Sequence, residues 1–184
     1  MDNMLRMQPH SDNTAHSVDG FDVGFSLDHK GRLWLRYHVD CDLERLVLPN
    51  SGMERNRADN LWKTTCFEAF IRLAGASDYL ELNLSPSGQW AAYVFESYRK
   101  GMTNEEAITA SEIGLDASAS HFALEATVQL PERFIGASTD LAITAVLHEE
   151  QGAQSFWSLT HPPGKPDFHH DTCFALKLAP PIIP

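Results

Sequence analysis

Glu68, Arg72, Glu81 and Asn83 occupy alternating positions in two neighbouring apolar runs, and that placement defines what chemistry they could do. In the first run Phe67, Ala69, Ile71 and Leu73 alternate with Cys66, Glu68, Phe70 and Arg72. In the second, Leu80, Leu82 and Leu84 alternate with Tyr79, Glu81, Asn83 and Ser85. Successive side chains leave a strand on opposite faces, so the aliphatic set faces a core and the polar set shares the other side. Arg32 to Val39 repeats the pattern, with Trp34, Arg36, His38 and Asp40 opposite Leu33, Leu35, Tyr37 and Val39, and Tyr93 and Glu125 join the polar set from later strands. Carboxylates, an amide and a guanidinium make paired hydrogen bonds to neighbouring hydroxyls, and aromatic rings offer flat apolar area with a polar edge. The expectation is a face that recognises a polar ligand, since a merely solvated face has little use for Trp34, Phe70 and Tyr93.

Two other readings of that face compete. A solvated sheet stabilised by cross-strand Glu–Arg pairs would belong to a structural or protein-interaction module. Glu68, Glu81 and Glu125 could instead supply the paired carboxyls of glycoside hydrolysis, in which the separation sets the outcome. Nothing in the spacing shows that pairing, and no Ser–His–Asp or Cys–His arrangement can be argued, so binding is expected rather than catalysis. Trp62 and Trp157 both lie near strand ends, where sandwiches place ligand loops, with core packing as the competitor. The segment His161 to Asp171 holds His161, His169, His170, Asp167 and Asp171. It lacks the helical i, i+4 or C-x-x-C spacing of metal ligands and is rich in proline, so a stiff loop without metal is expected.

The elements that must position these groups are short strands. Phe21–Leu27 and Arg32–Val39 flank the turn Asp28-His29-Lys30-Gly31. Cys66–Leu73, Tyr79–Leu84 and Gln89–Tyr98 follow, the last two joined by the tight turn Ser85-Pro86-Ser87-Gly88. Ile108–Ile113 and Phe122–Leu130 read as strands around the loop Gly114–Ser120, then Leu141–Leu147, Ser155–Thr160 and Phe174–Leu178. Met102–Ala107 reads as a polar connector able to form a helical turn, and Pro131–Gly136 as one helical turn with its proline at an early position. Pro49-Asn50-Ser51-Gly52 is a turn cluster and Met53–Asn60 a charged loop. About ten short strands with almost no helical periodicity predict an all-β fold, an antiparallel β-sandwich. Residues 20–178 form one domain in this reading, with an edge strand or arm at 1–19 and a tail at 179–184.

Composition narrows the partners. A net charge of -11 over 184 residues argues against nucleic acid, which is held by clusters of Lys and Arg. Met1 to Gly20 has no apolar stretch of the kind that directs secretion, and no segment approaches the length of a membrane span. The expectation is a cytoplasmic protein in which Cys41, Cys66 and Cys173, with no metal-type spacing, are reduced and partly buried.

Three stretches carry a resemblance. LWKTTCFEAFI, then YLELNLSPSGQWAAYVFESYRKGM, then FWSLTHPPGKPDFHHDTCFALKL resemble bacterial DOMON-like domains related to family-nine carbohydrate-binding modules, over roughly Gly20 to Leu178. The resemblance implies a β-sandwich that binds a saccharide, or in some branches haem, at one face. It also implies that Trp62 and Trp157 stand where two tryptophans clamp the sugar in those modules. The ligand site expected on both grounds comprises Trp34, Arg36, Trp62, Glu68, Arg72, Glu81, Asn83, Tyr93, Glu125, Trp157 and His161, with a small saccharide as partner. The haem branch uses a Met and a His as axial ligands, for which Met53, Met102 and His169 can be nominated. An acidic face suits haem poorly, so no cofactor is expected and haem is the alternative.

Overall fold

Strict alternation in the long strands builds two antiparallel sheets whose aliphatic faces meet. The computed structural model describes residues 4–13, 17–49, 52 and 55–180. Its strands in chain order are β1 (Leu5–Arg6), β2 (Gln8–Pro9), β3 (Val18–Leu27), β4 (Arg32–Cys41), β5 (Cys66–Leu73), β6 (Tyr79–Leu84), β7 (Trp90–Phe95), β8 (Thr103–Asn104), β9 (Ser111–Ser118), β10 (His121–Gln129), β11 (Thr139–His148), β12 (Gln154–Ser158) and β13 (Leu176–Leu178). One sheet has the order β1-β3-β4-β10-β9; the other runs β2-β12-β11-β5-β6-β7-β8, with β13 also paired to β11. The fold is an all-β antiparallel sandwich, as the alternation predicts. Its strands outnumber the expected ten because β1, β2 and β8 are two-residue edge pieces too short to show a period.

Between the sheets lie Leu33, Leu35, Tyr37 and Val39 from β4, Phe67, Ala69 and Ile71 from β5, Leu80, Leu82 and Leu84 from β6, and Leu124 from β10, all buried in one cluster. Phe67 is its aromatic centre, 5.0 Å from the Tyr37 ring and 5.8 Å from that of Phe122. The one polar group Tyr37 brings inside is satisfied: its hydroxyl donates to the Glu68 carbonyl at 2.7 Å. The N-terminal stretch closes the sandwich at its edge. β1 pairs with β3, β2 pairs with β12, and Met7 between them is buried in the core.

Two local expectations are corrected. The stretch Gly114–Ser120 is not a loop, because β9 continues through it to Ser118 in register with β10, pairing Leu115 with Leu124 and Asp116 with Ala123. Small and polar residues lower strand propensity, yet a neighbouring strand supplies the ladder regardless. Met102–Ala107 is partly strand: Thr103 and Asn104 add β8 to β7. A single hydrogen-bonded turn follows, the Ile108 amide donating to the Glu105 carbonyl at 3.3 Å. The Glu105 carboxylate accepts from the Ala107 amide at 3.1 Å and pairs with Arg133 at 2.7 Å. Pro131 does precede a single 3-10 turn, Glu132–Phe134. Of the expected turn and loop at 49–60, residues 50, 51, 53 and 54 lie outside the described residues.

The β6–β7 hairpin turns at Ser85–Gly88, with the Gly88 amide donating to the Ser85 carbonyl at 2.9 Å and Gly88 at φ 88°. That left-handed backbone costs a branched side chain dearly. Gly88→Val should therefore lower the unfolding free energy by at least about 1 kcal/mol in urea titration, without altering the sheet. An unchanged midpoint would remove the turn from the account of register.

Candidate functional site

The polar faces of β5 and β6 stand side by side because the ladder pairs Glu68 with Asn83 and Phe70 with Glu81, while β11 brings Thr144 opposite Glu68. This face is not solvated. Glu68, Glu81 and Asn83 are 3%, 5% and 0% exposed, covered by a second apolar cluster that includes Leu61, Phe70, Tyr93, Phe95, Phe168 and Phe174. The cover comes from three pieces of chain: the 3-10 turn Leu61–Lys63, the segment after β7 carrying Tyr98 to Met102, and the proline-rich stretch before β13. Asp167 fastens the last two together. It accepts from Arg99 Nη2 at 2.6 Å, from Arg99 Nε at 3.2 Å and from the Tyr98 hydroxyl, and these donors hold its carboxyl below the usual range.

Beneath that cover is a cavity of about 530 Å³. Glu68, Glu81 and His169 lie at its base, and Trp62, Phe95, Phe156, Phe168 and Val146 form apolar walls. Arg99, Met102, Gln154 and Pro166 complete the lining.

The two carboxyls are held from behind. Asn83 donates Nδ2 to Glu81 Oε1 at 2.7 Å, and the buried Cys66 thiol reaches Asn83 Oδ1 at 3.6 Å. The Thr144 hydroxyl donates to Glu68 Oε2 at 3.3 Å. Burial disfavours the charged carboxylate. It pushes Glu81 up to about 7, and it pushes Glu68 well above the carboxylate range, with the neighbouring Glu81 charge adding to the rise. His169 moves the other way, down to about 4, because burial and the nearby Arg99 charge disfavour its cation. Its ring sits edge-on to Phe70 and Phe95, each at 5.1 Å. The Tyr79 hydroxyl accepts from the Arg99 amide at 3.1 Å and is hydrogen-bonded to His169 Nδ1 at 2.7 Å. The other His169 ring nitrogen, Nε2, is 3.8 Å from Glu81 Oε2.

Of the expected site residues, Trp62, Glu68 and Glu81 line this cavity. Asn83 stands behind Glu81. Tyr93 supports Trp62, with ring centroids 5.9 Å apart, and donates its hydroxyl to Asp59 at 2.7 Å. Arg72 is turned to the far side of Tyr79, where it pairs with Asp140 at 3.1 Å and Asp171 at 2.6 Å and lies over the Phe174 ring. The rest are elsewhere, which corrects the expectation of one continuous polar face. Trp34, Arg36 and Glu125 sit on the outer face of the other sheet, where Trp34 Nε1 donates to Glu125 Oε1 at 2.8 Å and Arg36 lies opposite Glu125. Alternation assigns a side of a strand, not a sheet. Trp157 is also not at the cavity: it is buried between the sheets, 5.5 Å from the Phe21 ring. His161 donates through Nε2 to the Gln8 carbonyl, 2.9 Å away, and packs on His10 and Phe168 behind the cavity wall.

Phe95, Phe156, Phe168 and Arg99 are cavity residues that the sequence reading did not nominate. Phe95 shares the period-two face of Tyr93 and could have been found that way. Phe156 precedes Trp157, so one of the two had to face the cavity. Phe168 and Arg99 lie on irregular chain and carry no periodic signal. Cys41, Cys66 and Cys173 are free and buried, and among the described residues no group of three or more His, Cys, Asp or Glu could hold a metal ion.

No protein-family model matches the sequence, and no curated protein matches it. Solved structures do. A Bacteroides uniformis protein proposed to bind carbohydrate superposes with a TM-score of 0.59 at 12% identity, over 92% of this chain and 84% of that one. A family-nine carbohydrate-binding module from Caldicellulosiruptor kristjanssonii in complex with glucose gives a TM-score of 0.51 at 10% identity, over 89% of this chain and 76% of that one. The same organism's module in complex with cellotriose gives 0.51 at 12% identity, over 89% and 75%. At such identities the likeness establishes the fold.

Proposed function

We propose that this chain, which has the sandwich fold of family-nine carbohydrate-binding modules, is a non-catalytic binding domain for a small saccharide held in the cavity over Glu68 and Glu81. The observation that carries the reading is the pairing of aromatic walls with two fixed carboxyls at the base of one cavity. Its volume falls in the range of about 300–1,000 Å³ typical of small-ligand sites. Trp62 offers a flat face to a sugar ring, and the carboxyls hydrogen-bond to neighbouring hydroxyls, donating when protonated and accepting when ionised.

Calorimetry with mono- and disaccharides, glucose and cellobiose among them, is the direct test. Trp62→Ala should weaken the best sugar at least about tenfold, since a ring face removed from a sugar forfeits apolar contact. No turnover is expected. Hydrolysis of an aryl glycoside by the wild type, lost in Glu68→Gln, would make the protein an enzyme. Haem belongs in the same screen because Met102 and His169 both line the cavity. Two buried carboxyls are poor neighbours for the propionates of a haem, and His169 Nδ1 is already engaged by Tyr79. A Soret band with no sugar response would replace the saccharide by haem.

A further inference from the structure

We propose that the ligand of this cavity carries a positively charged nitrogen, which on the saccharide reading above makes it an amino sugar. The inference rests on that reading for the sugar and on separate observations for the charge. Glu68 and Glu81 are each more than nine-tenths buried and open onto the cavity. Each uses one oxygen on a neighbour, Glu68 Oε2 on Thr144 and Glu81 Oε1 on Asn83. Among the described residues no donor lies within hydrogen-bond reach of the other oxygens, Glu68 Oε1 and Glu81 Oε2. His169 Nε2 is 3.8 Å from Glu81 Oε2. No Lys or Arg of the described residues forms an ion pair with either carboxyl. Arg99 is the one cation in the lining, and its guanidinium is bound by Asp167.

Two buried carboxyls with open lone pairs need a counter-charge or a proton. The walls favour the counter-charge. Trp62, Phe156 and Phe168 present ring systems around the same space, and aromatic faces attract a cation most strongly where water is excluded. The net charge of -11 adds a field that draws cations toward the molecule.

Without ligand and below about pH 7 the pair keeps protons, because burial raises both groups and the Glu81 charge raises Glu68 further. An entering ammonium stabilises the ionised form, so one carboxyl proton leaves to the buffer as the ammonium–carboxylate contact forms, and no other bond changes. The remaining groups facing the pair are the neutral His169, the thiol of Cys66, the hydroxyls of Tyr79 and Thr144, Tyr93 opposite Glu81 with its hydroxyl given to Asp59, and Arg99 tied to Asp167. None of these supplies a free cation. Affinity for an amine therefore rises with pH from about 5 to 7, whereas affinity for a neutral sugar does not.

The probes are glucose, glucosamine, N-acetylglucosamine and choline, titrated calorimetrically into the full chain at pH 5.5 and 7.0. Glucosamine should bind at least about tenfold tighter than glucose or N-acetylglucosamine at pH 7.0, with protons released to the buffer. Glu81→Gln should erase that preference while keeping the Asn83 contact, and its thermal unfolding checks that it is folded; Glu68→Gln provides the same test from the other carboxyl. Glucose or N-acetylglucosamine binding as tightly as glucosamine would overturn the cation and leave the saccharide reading standing. Choline binding with no response to any sugar would keep the cation and remove the saccharide. Silence from all four probes would overturn the inference.

Discussion

Trp157→Ala should lower the unfolding free energy by about 3–5 kcal/mol, whereas Trp62→Ala should change it by less than about 1 kcal/mol. The two residues look alike in sequence, each a tryptophan near a strand end. In the fold they do different work. Trp157 is 7% exposed, lies in the inter-sheet core against Phe21, and pairs with Ala145 across the ladder. Its indole N–H donates to Ser155 Oγ at 3.0 Å, and that hydroxyl donates to the buried Glu149 at 2.9 Å. Truncation would remove a large apolar surface and leave a cavity that the flanking strands cannot close, because both are fixed by ladders. Trp62 sits on a 3-10 turn over the cavity mouth, half-buried, touching Tyr93 edge-on. Its loss enlarges a space that is already open. Urea titration of both variants, beside ligand titration of both, separates the roles: Trp157→Ala should fail on stability and Trp62→Ala on binding. A large stability loss for Trp62→Ala with none for Trp157→Ala would exchange core and cavity.

The sandwich was legible because β4, β5, β6 and β10 alternate strictly, and each aliphatic set, from Leu33 to Leu124, went to the core as expected. The carboxyls of the site were legible for the same reason: Glu68 and Glu81 fall on the side opposite to those aliphatics. Period two, however, says nothing about which sheet a strand joins. Trp34, Arg36 and Glu125 therefore looked like neighbours of Glu68, although β4 and β10 pair with each other in the opposite sheet. Nor does it reveal what lies over a face. The cover depends on long-range ties such as Asp167 to Arg99 and Tyr79 to His169, between segments about 70 and 90 positions apart, for which no local pattern exists. Burial by that cover turns a sheet surface into a cavity, and it moves the protons of Glu68, Glu81 and His169.

Replacing Glu81 by Gln should stabilise the protein relative to the wild type by an amount that grows as pH rises. In the folded chain burial holds the Glu81 carboxyl at about 7, against 4.5 for an ordinary glutamate. Between those values the folded state keeps a proton that the unfolded chain has released, so Glu81 costs stability progressively as pH rises through that window. His169 has the opposite sign. Its pKa falls from 6.5 to about 4, the unfolded chain takes up a proton the buried ring refuses, and stability is lost as pH falls through that range. In the wild type the two slopes oppose each other over much of pH 4.5 to 6.5. In Glu81→Gln one of the two carboxyl slopes that oppose His169 is removed, and Glu68, which burial still raises, is relieved of the neighbouring charge that adds to its rise. The variant should therefore gain on the wild type as pH rises from 4.5 to 7.5, by on the order of 3 kcal/mol for the Glu81 shift alone. Denaturant titrations of both proteins across that range measure the gain. Parallel curves would mean that Glu81 is ionised and solvated in the folded chain, and the covered cavity described above would then be wrong at its base.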